Sequence, residues 1–351
     1  MRKLCLLLIT AVLVLGGICA VSPVLPAQTP APSAPATTAA AAASVVDPHQ
    51  TYSYETLKTD AGELAGQYPG LIEVSGIGKS VEDRDLVLIR LGKGAKRVLL
   101  AGAHHAREYI TSAFLMETVD EYARAYVTGG KIEGQDIQAL LNEVTLYVVP
   151  MVNPDGVNLV KNGPDAARDP AKVRSMRMLQ SSYSAWKANI NGVDLNRQYP
   201  CHWEEKASNT DVPSSEMYKG TAPATEPEVK AMIALCEQYE FTLAVSFHTK
   251  GEVIYWADSG TEDAIAADAQ IAQSIGEVTG YELMPVSEDP AVYGAGFENW
   301  FRQEFERPAF CIELTPVGEG VLPYDDSRFD ELVWSKAKGL GAVLMRQAAG
   351  G

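Results

Sequence analysis

Histidine and cysteine are scarce in this chain, with five of each among 351 residues. Any imidazole chemistry must come from His49, His104, His105, His202 and His248. Cys5 and Cys19 fall in an apolar N-terminal run, which leaves Cys201, Cys236 and Cys311. Three cysteines do not make a disulfide framework, and at most one bridge can form among them. Basic residues are also short, 29 against 45 acidic, for a formal net charge of −16. That deficit argues against nucleic acid as a partner, because phosphate binding needs a basic face. With 46% hydrophobic and 21% charged residues, the composition excludes collagen, disulfide-stapled mini-scaffolds and disorder throughout. The length is enough for a large core.

Charge of either sign is missing near the start: after Arg2 and Lys3 none appears until Asp47. Leu4 to Val21 form an apolar run of 18 residues broken only by Thr10, Gly16 and Gly17. A basic start followed by an apolar segment reads as a secretory signal or an uncleaved signal anchor. The run is at the short edge of what spans a bilayer. Cys19 invites lipidation, but Ile18 before it is bulky where a small residue is usual. Residues 22–46 are almost entirely Ala, Pro, Thr, Ser and Val. Such a stretch buries too little side chain to offset the entropy of ordering, so a flexible spacer is expected. The organisation expected is residues 1–21 for export, 22–47 as linker, and one folded domain over 48–351.

From residue 48 onward, strand-like and helix-like segments alternate. Leu86–Leu91, Val98–Ala103, Val144–Val149, Phe241–Phe247, Val253–Trp256 and Ala309–Leu314 are short, apolar and often β-branched. Near-continuous apolarity suggests strands covered on both faces. Helices are expected over Tyr54–Tyr68, Ile110–Tyr126, Glu226–Tyr239, Asp263–Thr279 and Ser327–Gln347. The third begins at Thr225-Glu-Pro-Glu228, a capping box with proline in the first turn. The fold class expected is α/β, a single domain with a mixed, mostly parallel sheet between helix layers. Asn162 to Tyr218 is long, polar and aperiodic, which marks a functional loop.

His105-Ala-Arg-Glu108 follows directly on the strand ending at Ala103. A His and a Glu three apart can face one way where a strand turns into a helix, although the pattern alone is common. His248 ends the apolar run Phe241–Phe247, and strand carboxyl ends are where α/β sheets place ligands. Two imidazoles and one carboxylate suit zinc with a coordination position left for water. Zinc acidifies bound water and polarises a carbonyl, so such a site points to amide hydrolysis. Glu313, an acid inside the apolar run Ala309–Leu314, is costly to bury unless it is paired or used. It is therefore the candidate general base, with a buried ion pair as the plain alternative.

With these residues assembled, the chain resembles the zinc carboxypeptidases of the carboxypeptidase A type, over roughly Tyr52 to Leu340. The matching pieces stand in the family's order: His105-Ala-Arg-Glu108, Asn153-Pro-Asp-Gly156, Gly192-Val-Asp-Leu-Asn-Arg197, Ser246-Phe-His248 and Phe310-Cys-Ile-Glu-Leu314. The resemblance implies that His105, Glu108 and His248 bind one Zn2+. It implies that Glu313 activates the zinc water and then passes its proton to the leaving amine. Arg197, beside Asn196, would clamp a carboxylate on the leaving-group side, where a planar guanidinium can donate two parallel hydrogen bonds. Arg107 would line the cleft, and Tyr293 resembles the mobile tyrosine that covers the substrate. Asn153–Gly156 is expected to be mainly turn chemistry.

Two departures stand out. Where the pancreatic members carry an Arg to polarise the scissile carbonyl, Lys187 follows Trp186, a point charge in place of a fork. The spacing from Tyr293 to Trp300 is also shorter than in those members. His49 and His202 are expected at the surface without partners.

The strings Trp186–Pro200 and Ser246–Trp256 resemble the bacterial branch that cleaves γ-D-glutamyl–diamino acid bonds in peptidoglycan stem peptides. On that reading Lys250 meets the free α-carboxylate of a γ-linked D-Glu. Glu298 meets the side-chain amine of diaminopimelate or lysine. Either charge is equally compatible with a solvated surface residue. The alternatives are a secreted metallocarboxypeptidase acting on protein C-termini and a non-catalytic cell-wall peptide-binding module. The second is disfavoured because the three ligands and Glu313 are all present. The partner expected is a peptide, with a membrane engaged only through an N-terminal anchor.

Overall fold

Val98, Leu100, Val245 and Phe247 point into one apolar cluster, while Leu99, Ala101 and Ala244 point into a second. Burial on both faces is why these strands read as continuously apolar runs. The computed structural model describes residues 43–259, 262–318 and 322–350. The expected export segment therefore lies outside the described residues, as does nearly all of the linker.

Ten strands are described: β1 (Ile72–Lys79), β2 (Asp85–Leu91), β3 (Lys96–Ala101), β4 (Lys131–Ile132), β5 (Gln135–Asp136), β6 (Val144–Val149), β7 (Leu243–His248), β8 (Val253–Tyr255), β9 (Glu282–Leu283) and β10 (Ala309–Glu313). Eight of them form one sheet in the order β1-β2-β6-β3-β7-β10-β8-β9, and β4 and β5 make a separate hairpin. The centre, β6-β3-β7-β10, is parallel, with antiparallel pairs β1–β2, β2–β6 and β10–β8 toward the edges. This is the mixed α/β sheet expected. The first cluster packs the helices Tyr54–Gln67, Ile110–Thr128, Ile137–Glu143, Glu262–Thr279 and Leu340–Ala349 on one face. Pro227–Gln238 and Phe297–Phe305 cover the other through Met232, Leu235, Trp300 and Phe301.

The connection leaving β3 runs to β6 on one side, and the connection leaving β7 runs to β8 and β10 on the other. The chain thus reverses its direction of travel between β3 and β7, which opens a crevice at their carboxyl ends. Register then does the positioning, because Glu313 of β10 lies directly beside His248 of β7.

Several expectations are corrected. Strand β1 is absent from the sequence reading because its side chains are mostly exposed, so no apolar run marks it. Ser327–Gln347 is not one helix but a 3-10 turn, a π-helical turn, a short helix and then Leu340–Ala349. Gly339 sits at the break, where an added Cβ would come within 2.7 Å of Glu133 Cγ. Thr225 is not a helix cap: its backbone N–H and hydroxyl both donate to Gln198 Oε1, at 2.8 and 2.9 Å, and Glu226 takes the capping position. The folded part begins before residue 48, since Ser44 Oγ, Val45 N and Val46 N all donate to the buried Asp120 Oδ2. Cys201, Cys236 and Cys311 are buried and unbridged. Among the described residues no helix is long and apolar enough to cross a membrane.

Candidate metal centre and active site

Beyond β3 the backbone bends through Ala103, whose φ of +48° lies in the left-handed region that non-glycine residues rarely adopt. Thr111 holds the bend, accepting from Ala103 N at 2.8 Å and donating to Glu108 O at 2.8 Å. A 3-10 turn over Ala106–Glu108 then brings the Glu108 carboxylate back beside His105. The motif Asn153–Gly156 opens the helix Pro154–Asn162 rather than forming a free turn, with Asn153 as its N-cap. Asn153 Nδ2 also donates to His104 O and Ala188 O, so the cap ties the ligand-bearing turn to the long polar loop. Gly156 permits this closeness, because a Cβ there would lie 2.5 Å from Asn153 Oδ1 and 2.8 Å from Ala106 Cβ.

Three donor groups meet at the mouth of the crevice. His105 Nδ1 lies 3.0 Å from Glu108 Oε1 and Oε2 and 3.0 Å from His248 Nδ1. His248 Nδ1 lies 3.1 Å from Glu108 Oε2. The three residues are buried, and their ligand atoms all fall within 4.8 Å of one another. On the far side of the ring, His105 Nε2 sits 3.2 Å from Asp194 Oδ1. A carboxylate there fixes the proton on Nε2 and leaves the Nδ1 lone pair aimed at the cluster. Two nitrogens and a carboxylate oxygen, converging and oriented from behind, fit zinc.

Burial disfavours the ionised Glu108, but the charge and hydrogen bonds of His105 and His248 outweigh it and hold this carboxyl well below its usual range. Asp194 behaves alike: burial opposes its charge, and Lys187, His105 and Arg197 together keep it ionised. His104 is the reverse case. Burial, reinforced by the charges of His248 and His105, pushes it well down, so it stays neutral against Tyr199 OH at 3.0 Å. Glu313 is pushed up to about 8, mainly by burial, with Glu108 adding and His248 and Lys187 opposing. Its Oε2 is shielded from solvent and has no hydrogen-bond partner among the described residues.

A cavity of about 590 Å³ opens beside these groups. His105, His248, Glu313, Lys187, Asn196, Arg197, Tyr293 and Glu298 line it, so eight of the eleven site residues expected from the sequence share one space. Glu108 stands behind the two histidines. Arg107 is elsewhere: its Nη1 donates to Ala185 O at 2.9 Å and Glu216 Oε2 at 3.0 Å, and it is not part of the lining. Lys250 is exposed and also outside the lining. The two histidines expected to lack partners have them. His49 pairs with Asp47 and Asp330, and His202 pairs with Glu205 and meets the Tyr293 ring edge-on at 5.5 Å.

The sequence model of the zinc carboxypeptidases matches residues 58–324. The chain belongs to that family. Among the relatives of this zinc carboxypeptidase is "Gamma-D-glutamyl-L-diamino acid endopeptidase 1" of Lysinibacillus sphaericus. It is 38% identical over 299 residues, covering 84% of this chain and 72% of that one. "Carboxypeptidase B" of Astacus astacus is 27% identical over 282 residues, 76% of this chain and 87% of the relative. In fold the chain is similar to bovine thrombin-activatable fibrinolysis inhibitor, solved with tick carboxypeptidase inhibitor. The TM-score is 0.68 at 21% identity, over 86% of this chain and 99% of that one. The chain is therefore a zinc metallopeptidase.

Two residues of this zinc carboxypeptidase escaped the sequence reading. Asp194 is 1% exposed and touches His105, Lys187 at 3.5 Å and Arg197 at 3.3 Å. It lies inside the quoted motif Gly192–Arg197, and its place between flanking cationic candidates was the available signal. Lys206 also lines the cavity. Nothing in its local sequence, Trp203-Glu-Glu-Lys-Ala207, separates it from a surface lysine.

Proposed function

We propose that the chain hydrolyses the γ-D-glutamyl–diamino acid bond of peptidoglycan stem peptides, with diaminopimelate or lysine on the leaving side. The observation that carries this reading is Glu298. It is a buried carboxylate in the cavity wall that accepts a hydrogen bond from Ser246 Oγ at 3.2 Å and forms no ion pair among the described residues. A buried carboxylate left without a cation is suited to an ammonium on the ligand. The name of the Lysinibacillus sphaericus relative supports the class of bond. The basic start and apolar run of residues 2–21 support export, to the medium or to the outer face of the membrane.

His105, Glu108 and His248 would hold the zinc, which when bound would supply the Lewis acidity that acidifies water and polarises a carbonyl. Glu313 takes the proton of the attacking water at its unpartnered Oε2 and returns it to the leaving amine. That oxygen is shielded and has no hydrogen-bond partner among the described residues, which leaves it free to hold the proton between the two steps. Arg197 is fixed by Asp194, by its Nη1 bond to Ala207 O at 2.6 Å and by its Nη2 bond to Met217 Sδ at 3.1 Å, and the remaining N–H of each Nη binds the carboxylate of the leaving residue. Asn196 Oδ1 is occupied by Phe297 N at 2.8 Å, which turns its amide group toward the same ligand. Lys187 contributes positive charge on the side of the scissile carbonyl, and Tyr293 shields the cavity from water.

Replacing Glu298 with leucine tests the reading on two tripeptides, L-Ala-γ-D-Glu-meso-diaminopimelate and its analogue ending in L-Leu. The expected result is a loss in kcat/KM of about tenfold or more for the diamino peptide only, the scale of one lost charged contact. An equal loss on both peptides would remove Glu298 from the recognition site.

A further inference from the structure

The charges lining the cavity do not cancel in pairs. Arg302 is occupied by Asp258, through Nη2 at 2.8 Å and Nε at 3.3 Å, and by Ala309 O. Lys187 and Arg197 share Asp194. Lys206 is left over. Its Nζ donates to the backbone carbonyl of Val292, and no described carboxylate forms an ion pair with it. Burial, helped by the charges of Arg197 and Lys187, pushes its ammonium down to about 8 and outweighs the opposing charges of Glu298 and Asp194, neither of which reaches it as an ion pair.

Position links Lys206 to Arg197. Ala207, the next residue, accepts from Arg197 Nη1 at 2.6 Å and donates its N–H to Ala291 O at 3.1 Å. Both cations therefore stand on one stretch of wall, beside the segment that carries Tyr293, with Glu298 in the same cavity. The cavity offers two places for a carboxylate and one for an ammonium. Among leaving residues, lysine carries one free carboxylate and an ammonium. Glutamate carries two carboxylates and no side-chain ammonium. C-terminal meso-diaminopimelate carries two carboxylates and an ammonium, and matches all three.

We propose that Lys206 binds the side-chain carboxylate of a C-terminal diaminopimelate and makes the enzyme prefer that residue to lysine. The inference rests on the γ-D-glutamyl reading above and goes beyond it in naming the diamino acid and the residue that selects it. Lys206 is a specificity residue; it takes no part in bond breaking. A purely structural alternative exists in its bond to Val292 O, which tethers the Tyr293 segment and would serve all substrates alike.

The test compares kcat and KM of the full zinc-loaded chain on L-Ala-γ-D-Glu-meso-diaminopimelate and L-Ala-γ-D-Glu-L-Lys. Wild type is expected to favour the first by about tenfold or more, one charged contact's worth. Lys206→Gln keeps a donor for Val292 O and removes the charge. It should raise KM for the diaminopimelate peptide by about tenfold while shifting the lysine peptide by less than about twofold. Lys206→Arg should retain the preference. Inhibition of lysine-peptide cleavage by free meso-diaminopimelate should weaken in Lys206→Gln, a reading of binding alone. Equal losses on both peptides would assign Lys206 to tethering, and an unchanged preference would remove it from the site; either overturns the inference. Wild type that cleaves both peptides equally overturns it while leaving the γ-D-glutamyl reading intact. Wild type that cleaves neither overturns both.

Discussion

Asp194→Asn probes the second layer of the metal centre with almost no change in volume. The carboxylate opposite His105 Nε2, at 3.2 Å, can only accept, so the imidazole proton must sit on Nε2 and Nδ1 is free to coordinate. An asparagine can turn its NH2 toward the ring and stabilise the opposite tautomer, which points a proton into the ligand cluster. Outer partners of metal-bound histidines contribute about 10–100-fold in affinity, or roughly 1.4–2.8 kcal/mol. Asp194 is nearly inaccessible and the ring has no other partner on that side among the described residues, so the effect should fall in that range. The substitution also releases Lys187 and Arg197 from their shared anion. The KM of a carboxylate-bearing peptide should therefore hold or fall while kcat drops. Zinc affinity is read by competition with a chromophoric chelator near neutral pH, with thermal unfolding as the check on folding. A zinc Kd within about twofold of wild type, in a folded variant, would refute the tautomer argument.

Three further outcomes follow from the geometry. On the proposed mechanism Glu313→Gln should lower kcat by about 10²–10⁴-fold with zinc affinity unchanged, since it removes the proton carrier, whose Oε2 has no hydrogen-bond partner among the described residues; activity within tenfold of wild type would contradict this. Glu228 is fully buried, accepts from Val81 N at 3.2 Å and Asn189 Nδ2 at 3.3 Å, and is pushed up to about 8 by burial. A raised folded pKa means that its stabilising contribution is complete below the ordinary carboxyl range and is lost as pH rises through about 8. Glu228→Gln, which imitates the protonated form, should therefore unfold later than wild type at alkaline pH, by about 2–4 kcal/mol, and show no gain in mild acid. Equal shifts at both pH values in denaturant titrations would count against it. Gly156→Ala should cost about 1–3 kcal/mol through its clash with Asn153 and Ala106, measured the same way.

How much was legible depended on whether a residue's role left a mark in its own neighbourhood. Strands β3, β7 and β10 could be read because burial on both faces makes their sequences apolar throughout, and their ends located His105, His248 and Glu313. Strand β1 could not, since most of its side chains face water. The break at Gly339 depends on the approach of Glu133 from far away in the chain, and no local pattern records it. Glu298 was legible only through the resemblance to the γ-D-glutamyl branch. Lys206 was not, because its interest lies in lacking a counter-ion, which only the assembled cavity reveals. Arg107 and Lys250 sit in motifs that matched, yet one is engaged by Glu216 and the other faces solvent.

The central claim is the bond that is cut. The zinc-loaded chain is incubated with L-Ala-γ-D-Glu-meso-diaminopimelate and, separately, with an α-linked peptide of ordinary L-residues, and the products are identified by mass. The account predicts release of diaminopimelate from the first, with kcat/KM at least about tenfold above that for the second. Removal of C-terminal residues from the α-linked peptide, with the γ-linked one left intact, would contradict it.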